Sequence, residues 1–227
     1  MQQRERRDGD FLVDPRRGTI VAAVLLVAVS VMTVLVAVDV SHPPLLGTID
    51  GWGRDLVEPP EAWAARLSEW MKILGGGEIM APLRIVVAVW LIVRRRWVDL
   101  AAWLTAWAVA DLLTQILKPG LGRMRPDLAD ATSFPSGHAK TAAQVSVSLL
   151  LTFTSPWRSR AWAWTLAVAW TVAMSLSRMV LIDHYLSDVV AGSLLGAGCA
   201  VGAAALLQRA RDQRVAPTPP LAPDSVP

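Results

Sequence analysis

Apolar residues come in long runs separated by short connections that carry most of the arginines. Six runs approach the roughly 20 residues a helix needs to cross a bilayer; they cover 19–40, 78–93, 98–117, 137–154, 161–181 and 185–207. The second is short, carries Pro82 and Arg84, and follows a break at Gly75-Gly76-Gly77. The first exceeds the roughly 7–15 apolar residues of a signal-peptide core, so it reads as a retained membrane helix. Between them, Pro59-Pro60 precede a stretch in which Trp63, Leu67, Trp70, Met71 and Leu74 recur at helical spacing. That stripe predicts a helix at the membrane interface with Trp at headgroup depth, or else one packed on the protein's own spans. The expected fold is all-α, a six-transmembrane-helix bundle with an outer-face interfacial helix.

Composition agrees: hydrophobic residues make up 53% of the chain and charged residues 18%. The formal net charge of +3 invites a nucleic-acid partner, but the placement of the arginines argues for membrane orientation instead. Arg4, Arg6, Arg7, Arg16 and Arg17 precede the first run, and Arg94-Arg95-Arg96 separate the second from the third. Arg158 and Arg160 separate the fourth and fifth, and Arg209, Arg211 and Arg214 follow the sixth. In a six-span topology all of these fall on one side, which the positive-inside rule makes cytoplasmic. Both termini are then cytoplasmic, and 41–77, 118–136 and the turn near 182–184 face out of a cytoplasmic (inner) membrane. The expected divisions are a basic head over 1–18, a membrane domain over 19–207 and a Pro-rich disordered tail over 208–227. Cys199 is the only cysteine, so no intramolecular disulfide or cysteine metal cluster can form.

The outward connections hold the polar residues with chemistry in them. Lys118, Arg123 and Arg125-Pro126 follow the third run, Pro135-Ser136-Gly137-His138 opens the fourth, and Ser177-Arg178, His184 and Asp188 bracket the last turn. Lys118, Arg125 and Arg178 supply cations for a phosphate, Arg as a fork and Lys as a point charge. Pro135 suits a first helical turn, which would leave Ser136, Gly137 and His138 offering backbone N–H groups at the positive end of a helix. His184 and Asp188 are four apart, so on a helix the carboxylate reaches the imidazole, fixes its tautomer and leaves the other nitrogen free to attack. His138 suits protonation of a leaving oxygen. Taken singly, Arg123 and Arg125 can be read as lipid-headgroup contacts, His184 as a satisfied interfacial histidine and Pro135–His138 as an ordinary helix start. Four residues stay open: Asp183 as a cap of the last helix or a modulator of His184, and Lys140 as an added cradle charge or a surface group. Asp111, on one helix face with Gln115 and Lys118, is a polar wall below the cradle or a structural bond to another helix. Arg84 joins the site or snorkels outward.

Together, Lys-x6-Arg-Pro, Pro-Ser-Gly-His and Ser-Arg-x5-His-x3-Asp resemble the three signature motifs of the type 2 phosphatidic acid phosphatase (PAP2) superfamily. The resemblance implies a bundle of the PAP2 type and hydrolysis of a lipid phosphate or pyrophosphate. It implies His184 as nucleophile through a phosphohistidine, Asp188 as its orienter and His138 as general acid and later base. Lys118, Arg125, Ser136, Gly137 and Arg178 are implied as the phosphate cradle, with no cofactor and no metal. Leu181-Ile182-Asp183 departs from the family, where a glycine often precedes the nucleophile. Undecaprenyl pyrophosphate is the first substrate expected, with phosphatidylglycerophosphate, phosphatidate and diacylglycerol pyrophosphate as alternatives. A catalytically silent lipid-binding scaffold is the reading from another class. Vanadium-dependent haloperoxidases share the motifs but are soluble.

Overall fold

The computed structural model describes residues 14–42, 45–153 and 160–215. These residues form eight helices: α1 (Pro15–Ser41), α2 (Gly47–Asp55), α3 (Ala62–Gly75), α4 (Gly77–Val93), α5 (Trp97–Leu121), α6 (Gly137–Phe153), α7 (Arg160–Val180) and α8 (Leu186–Val215). The six apolar runs are α1 and α4–α8. The last continues to Val215 rather than stopping at 207, and the outer stretch holds two helices where one was expected. Arg4, Arg6, Arg7, Arg158 and the tail beyond Val215 lie outside the described residues.

By length and apolarity, α1, α5, α7 and α8 can each cross a bilayer, and α3 with α4 make a fifth candidate bent by 43° at its break. α6 is described over only 17 residues, so six spans is an approximate count. Its composition also sets it apart from the other spans. Lys140, Thr141, Gln144, Ser148 and Thr152 are all buried on it, because α6 packs against α7 and α8 in the interior and presents little surface to lipid. α1 is the opposite case: Ile20, Val24, Val27, Val31 and Val34 are exposed, as lipid-facing residues must be.

α8 lies against α1, α5 and α6, and small residues bring it close. A Cβ at Gly192 would stand 2.4 Å from the Ser136 carbonyl oxygen, and one at Gly196 2.1 Å from that of Lys140. Glycine alone permits this backbone-to-backbone approach, which sets the start of α6 against α8. The Arg94–Arg96 turn closes the other end of the bundle, where Arg96 Nε donates to Asp99 at 2.7 Å and Nη2 to the Thr152 carbonyl at 3.0 Å.

Candidate active site

The 122–136 loop, the first turn of α6, the α7–α8 junction, α2 and α3 meet at one end of the bundle. His184 lies in that junction, two residues before α8 begins. It is therefore not on the helix face its spacing suggested, yet its Nδ1 still faces Asp188 Oδ2 at 3.7 Å. Asp188 is fully buried and firmly held. Its Oδ1 accepts from Arg123 Nη1 at 2.6 Å, and its Oδ2 accepts from Ser133 Oγ at 2.5 Å and the Tyr185 N–H at 2.9 Å. Burial holds the His184 imidazole below its usual pKa of 6.5; Asp188 pulls it back up, while the Lys118 and Arg125 charges push it down. The ring is thus neutral near pH 7, with a lone pair available for attack.

α6 begins at Gly137, so Pro135 precedes the helix instead of filling its first turn. The Ser136 N–H donates to the Asp188 carbonyl at 3.1 Å, which uses one of the three N–H groups expected to face an anion. Gly137 has open space where a Cβ would stand. His138 Nε2 donates to the Lys72 carbonyl of α3 at 3.2 Å, which leaves Nδ1 as the nitrogen that changes protonation.

The cations gather around the imidazole. Lys118 Nζ donates to the Thr132 carbonyl at 2.5 Å. Arg125 pairs with Asp130 at 3.0 Å and faces Asp183 at 3.6 Å. Arg178 Nη2 pairs with Asp183, so of its two open readings Asp183 does not take the cap of α8; it anchors the candidate cradle arginines Arg125 and Arg178. Among the described residues, seven buried side-chain polar atoms have no hydrogen-bond partner, and four of these are Arg178 Nε, Arg178 Nη1, Ser136 Oγ and His184 Nδ1. Each such group carries a penalty of about 1–3 kcal/mol; the three on Arg178 and Ser136 match what an oxyanion would satisfy, while His184 Nδ1 faces Asp188. Among the described residues, no group of three His, Cys, Asp or Glu is arranged to hold a metal ion.

Arg123 departs from its headgroup reading. It is buried, with Nη2 on Asp50 at 2.6 Å, Nη1 on Ser187 at 2.7 Å and on Asp188, and Asp39 at 3.7 Å. Burial opposes its charge, but Asp188 and Asp50 outweigh that and raise its pKa above the usual value. Asp50 and the Lys72 carbonyl were missed in the sequence. The first is a carboxylate in the outer connection, and nothing in the sequence names its cation. Ser133 gave no signal beyond its position before the second motif.

The residues left open inside the bundle form one group. Asp111 accepts from Lys140, from Arg84 at 3.4 Å and from Trp107 Nε1 at 2.7 Å, and Arg84 also donates to Gln144 at 2.9 Å. Lys140 and Arg84 are both buried, while Gln115 is exposed. Lys140 therefore turns inward rather than reaching the surface, and Arg84 does not snorkel.

This bundle and this site define a membrane-embedded phosphatase. The PAP2 superfamily profile matches residues 99–212, and the chain belongs to that superfamily, whose lipid phosphatases it joins. Phosphatidylglycerophosphatase B of Bacillus subtilis is 28% identical over 145 residues, covering 60% of this chain and 71% of that protein. An undecaprenyl-diphosphatase of Sulfolobus acidocaldarius is 32% identical over 102 residues, covering 40% of this chain and 47% of the relative. A lipid A 1-phosphatase of Porphyromonas gingivalis is 39% identical over 100 residues, 39% of this chain and 21% of the relative. In fold, the chain resembles the crystal structure of a transmembrane PAP2-type phosphatidylglycerolphosphate phosphatase from Bacillus subtilis. The TM-score is 0.67 at 23% identity, over 86% of this chain and 96% of the other.

Proposed function

We propose that this protein hydrolyses a lipid phosphate or pyrophosphate through a phosphohistidine on His184, without a metal, at the outer face of the cytoplasmic membrane. The observation that carries this reading is the set of unpartnered buried donors on Arg178 and Ser136 beside a neutral imidazole backed by Asp188. His184 attacks phosphorus through the nitrogen turned away from Asp188, and the lipid oxygen departs with a proton from His138. Water then attacks the phosphohistidine, gives its proton to His138, and inorganic phosphate leaves with His184 regenerated. Lys118, Arg125, Arg178, Ser136 and the Gly137 N–H hold the phosphoryl oxygens, and their charges grow more favourable as negative charge spreads over those oxygens.

Undecaprenyl pyrophosphate is the substrate favoured first, with phosphatidylglycerophosphate and phosphatidate next. One relative is named for each of the first two activities. The test is phosphate release in detergent with EDTA from a panel of lipid phosphates and pyrophosphates, with His184→Ala alongside. Release from one lipid class, lost in the variant, supports the enzyme and names its substrate. Folded protein that releases nothing from any of them supports the lipid-binding scaffold instead.

A further inference from the structure

The outer helix α2 sits outside the residues matched by the family profile, yet it reaches the nucleophile's carboxylate through one residue. Asp50 is buried on α2, and its Oδ2 accepts from Arg123 Nη2 at 2.6 Å. The other arm of the same guanidinium donates to Asp188 Oδ1 at 2.6 Å. Asp50 also accepts from the Ser187 N–H at 2.9 Å and the Ser187 hydroxyl at 3.0 Å, so it grips the first turn of α8 beside Asp188. The docking is close: a Cβ at Gly53 would stand 2.6 Å from Leu186 Cβ. The Tyr185 ring lies 4.4 Å from the Arg123 guanidinium carbon and closes its remaining side.

We propose that Asp50 and Arg123 are a positioning pair for the nucleophile: Asp50 shares the guanidinium with Asp188, and so sets how much of the Asp188 charge reaches His184. The inference rests on His184 being the nucleophile. Neither residue touches the phosphoryl group. A guanidinium forked between two carboxylates neutralises each only in part, and the share left on Asp188 is what stabilises imidazolium at His184. The other charged groups that act on His184 are Lys118 from α5, Arg125 from the 122–136 loop and His138 from α6; Arg178 and Asp183 act on His138. Asp39 at the end of α1 faces Arg123 more distantly, at 3.7 Å.

The two partners therefore shift His184 in opposite directions. Without the Asp50 charge, more of the Arg123 charge falls on Asp188 and imidazolium is less favoured. Without the Arg123 charge, Asp188 acts on His184 undiminished and imidazolium is more favoured. The chain has only three histidines, so the His184 ring can be assigned by substituting His42 and His138 and followed by NMR titration in detergent. Asp50→Asn is expected to lower its midpoint by about half a pH unit, and Arg123→Gln to raise it by about one. Arg123→Lys, which keeps a cation but loses the fork, should fall between wild type and Arg123→Gln and serves where the glutamine variant does not fold. In turnover, Asp50→Asn should lower kcat about tenfold, as loss of a partner behind a catalytic group does, with KM within about twofold.

Midpoints that stay put in Asp50→Asn and Arg123→Lys, or that move together, overturn the pair; a merely structural role lowers thermal stability and leaves them in place. Since the titration needs no turnover, wild-type protein that releases no phosphate sinks the phosphohistidine reading while the midpoints still decide the pair.

Discussion

Arg123 is where the buried charge of the site converges, with Asp50 and Asp188 at 2.6 Å each and Asp39 at 3.7 Å. Truncating one member of a buried ionic group strands the others, at about 3–5 kcal/mol. Arg123→Ala is therefore expected to lower the melting temperature in detergent more than His184→Ala does, since His184 Nδ1 has no hydrogen bond to lose. Asp188→Asn should lower kcat by about 10⁴-fold, the scale seen when an orienting carboxylate is replaced behind a histidine. The pH dependence has a definite sign. The folded His184 pKa lies below 6.5, so the proposed nucleophile stays neutral as pH falls through 6.5 and protonates only below it. The His184 contribution to the acid limb of kcat should accordingly lie under pH 6.5; a limb above it would contradict the burial argument. The groups proposed for chemistry were legible in the sequence because few residue types can bind a phosphoryl group or attack it, and their spacing survives without alignment. Asp50 was not, because its role depends on a partner 73 residues away, and a lone carboxylate in an outer connection does not name its cation.

At the scale of helices, apolar runs located six elements to within a few residues, save the end of α8. α2 escaped because nine residues rich in glycine and polar groups, GTIDGWGRD, carry no long apolar run; the helix is held by its contacts with α8. Pro135 misled for a related reason: proline fits several positions near a helix start, and the close approach of α8 settles where α6 begins. That approach can be tested. Gly196→Ala places a methyl 2.1 Å from the Lys140 carbonyl, forcing α6 and α8 apart at a cost of about 1–3 kcal/mol. Thermal stability and kcat should fall together, because the displaced helix carries Gly137 and His138. Gly53→Ala, against Leu186 Cβ, should instead depress kcat in the manner of Asp50→Asn while leaving the α6–α8 contact intact.

For the whole molecule, the proposed orientation places the α2 end outside the cell and the Arg94–Arg96 turn inside. The single, buried cysteine makes this accessible to labelling. In a Cys199→Ala background, Trp52→Cys on exposed α2 should react with a membrane-impermeant maleimide in intact cells, and Arg95→Cys only after lysis; the reverse pattern would invert the topology. A last consequence follows from α3. Its Lys72 carbonyl holds His138 on one side, while Trp63, Leu67 and Trp70 are exposed on the other at 69%, 53% and 66%. In the orientation proposed above, His138, the residue proposed for proton transfer, thus hangs from an element whose far side would face lipid headgroups. On that reading the surrounding bilayer is a working part of the enzyme: lateral pressure and headgroup bulk would act on α3 and through it on His138. In nanodiscs of fixed substrate content, exchanging small headgroups for bulky ones should change kcat, and Trp63→Ala with Trp70→Ala should blunt that response.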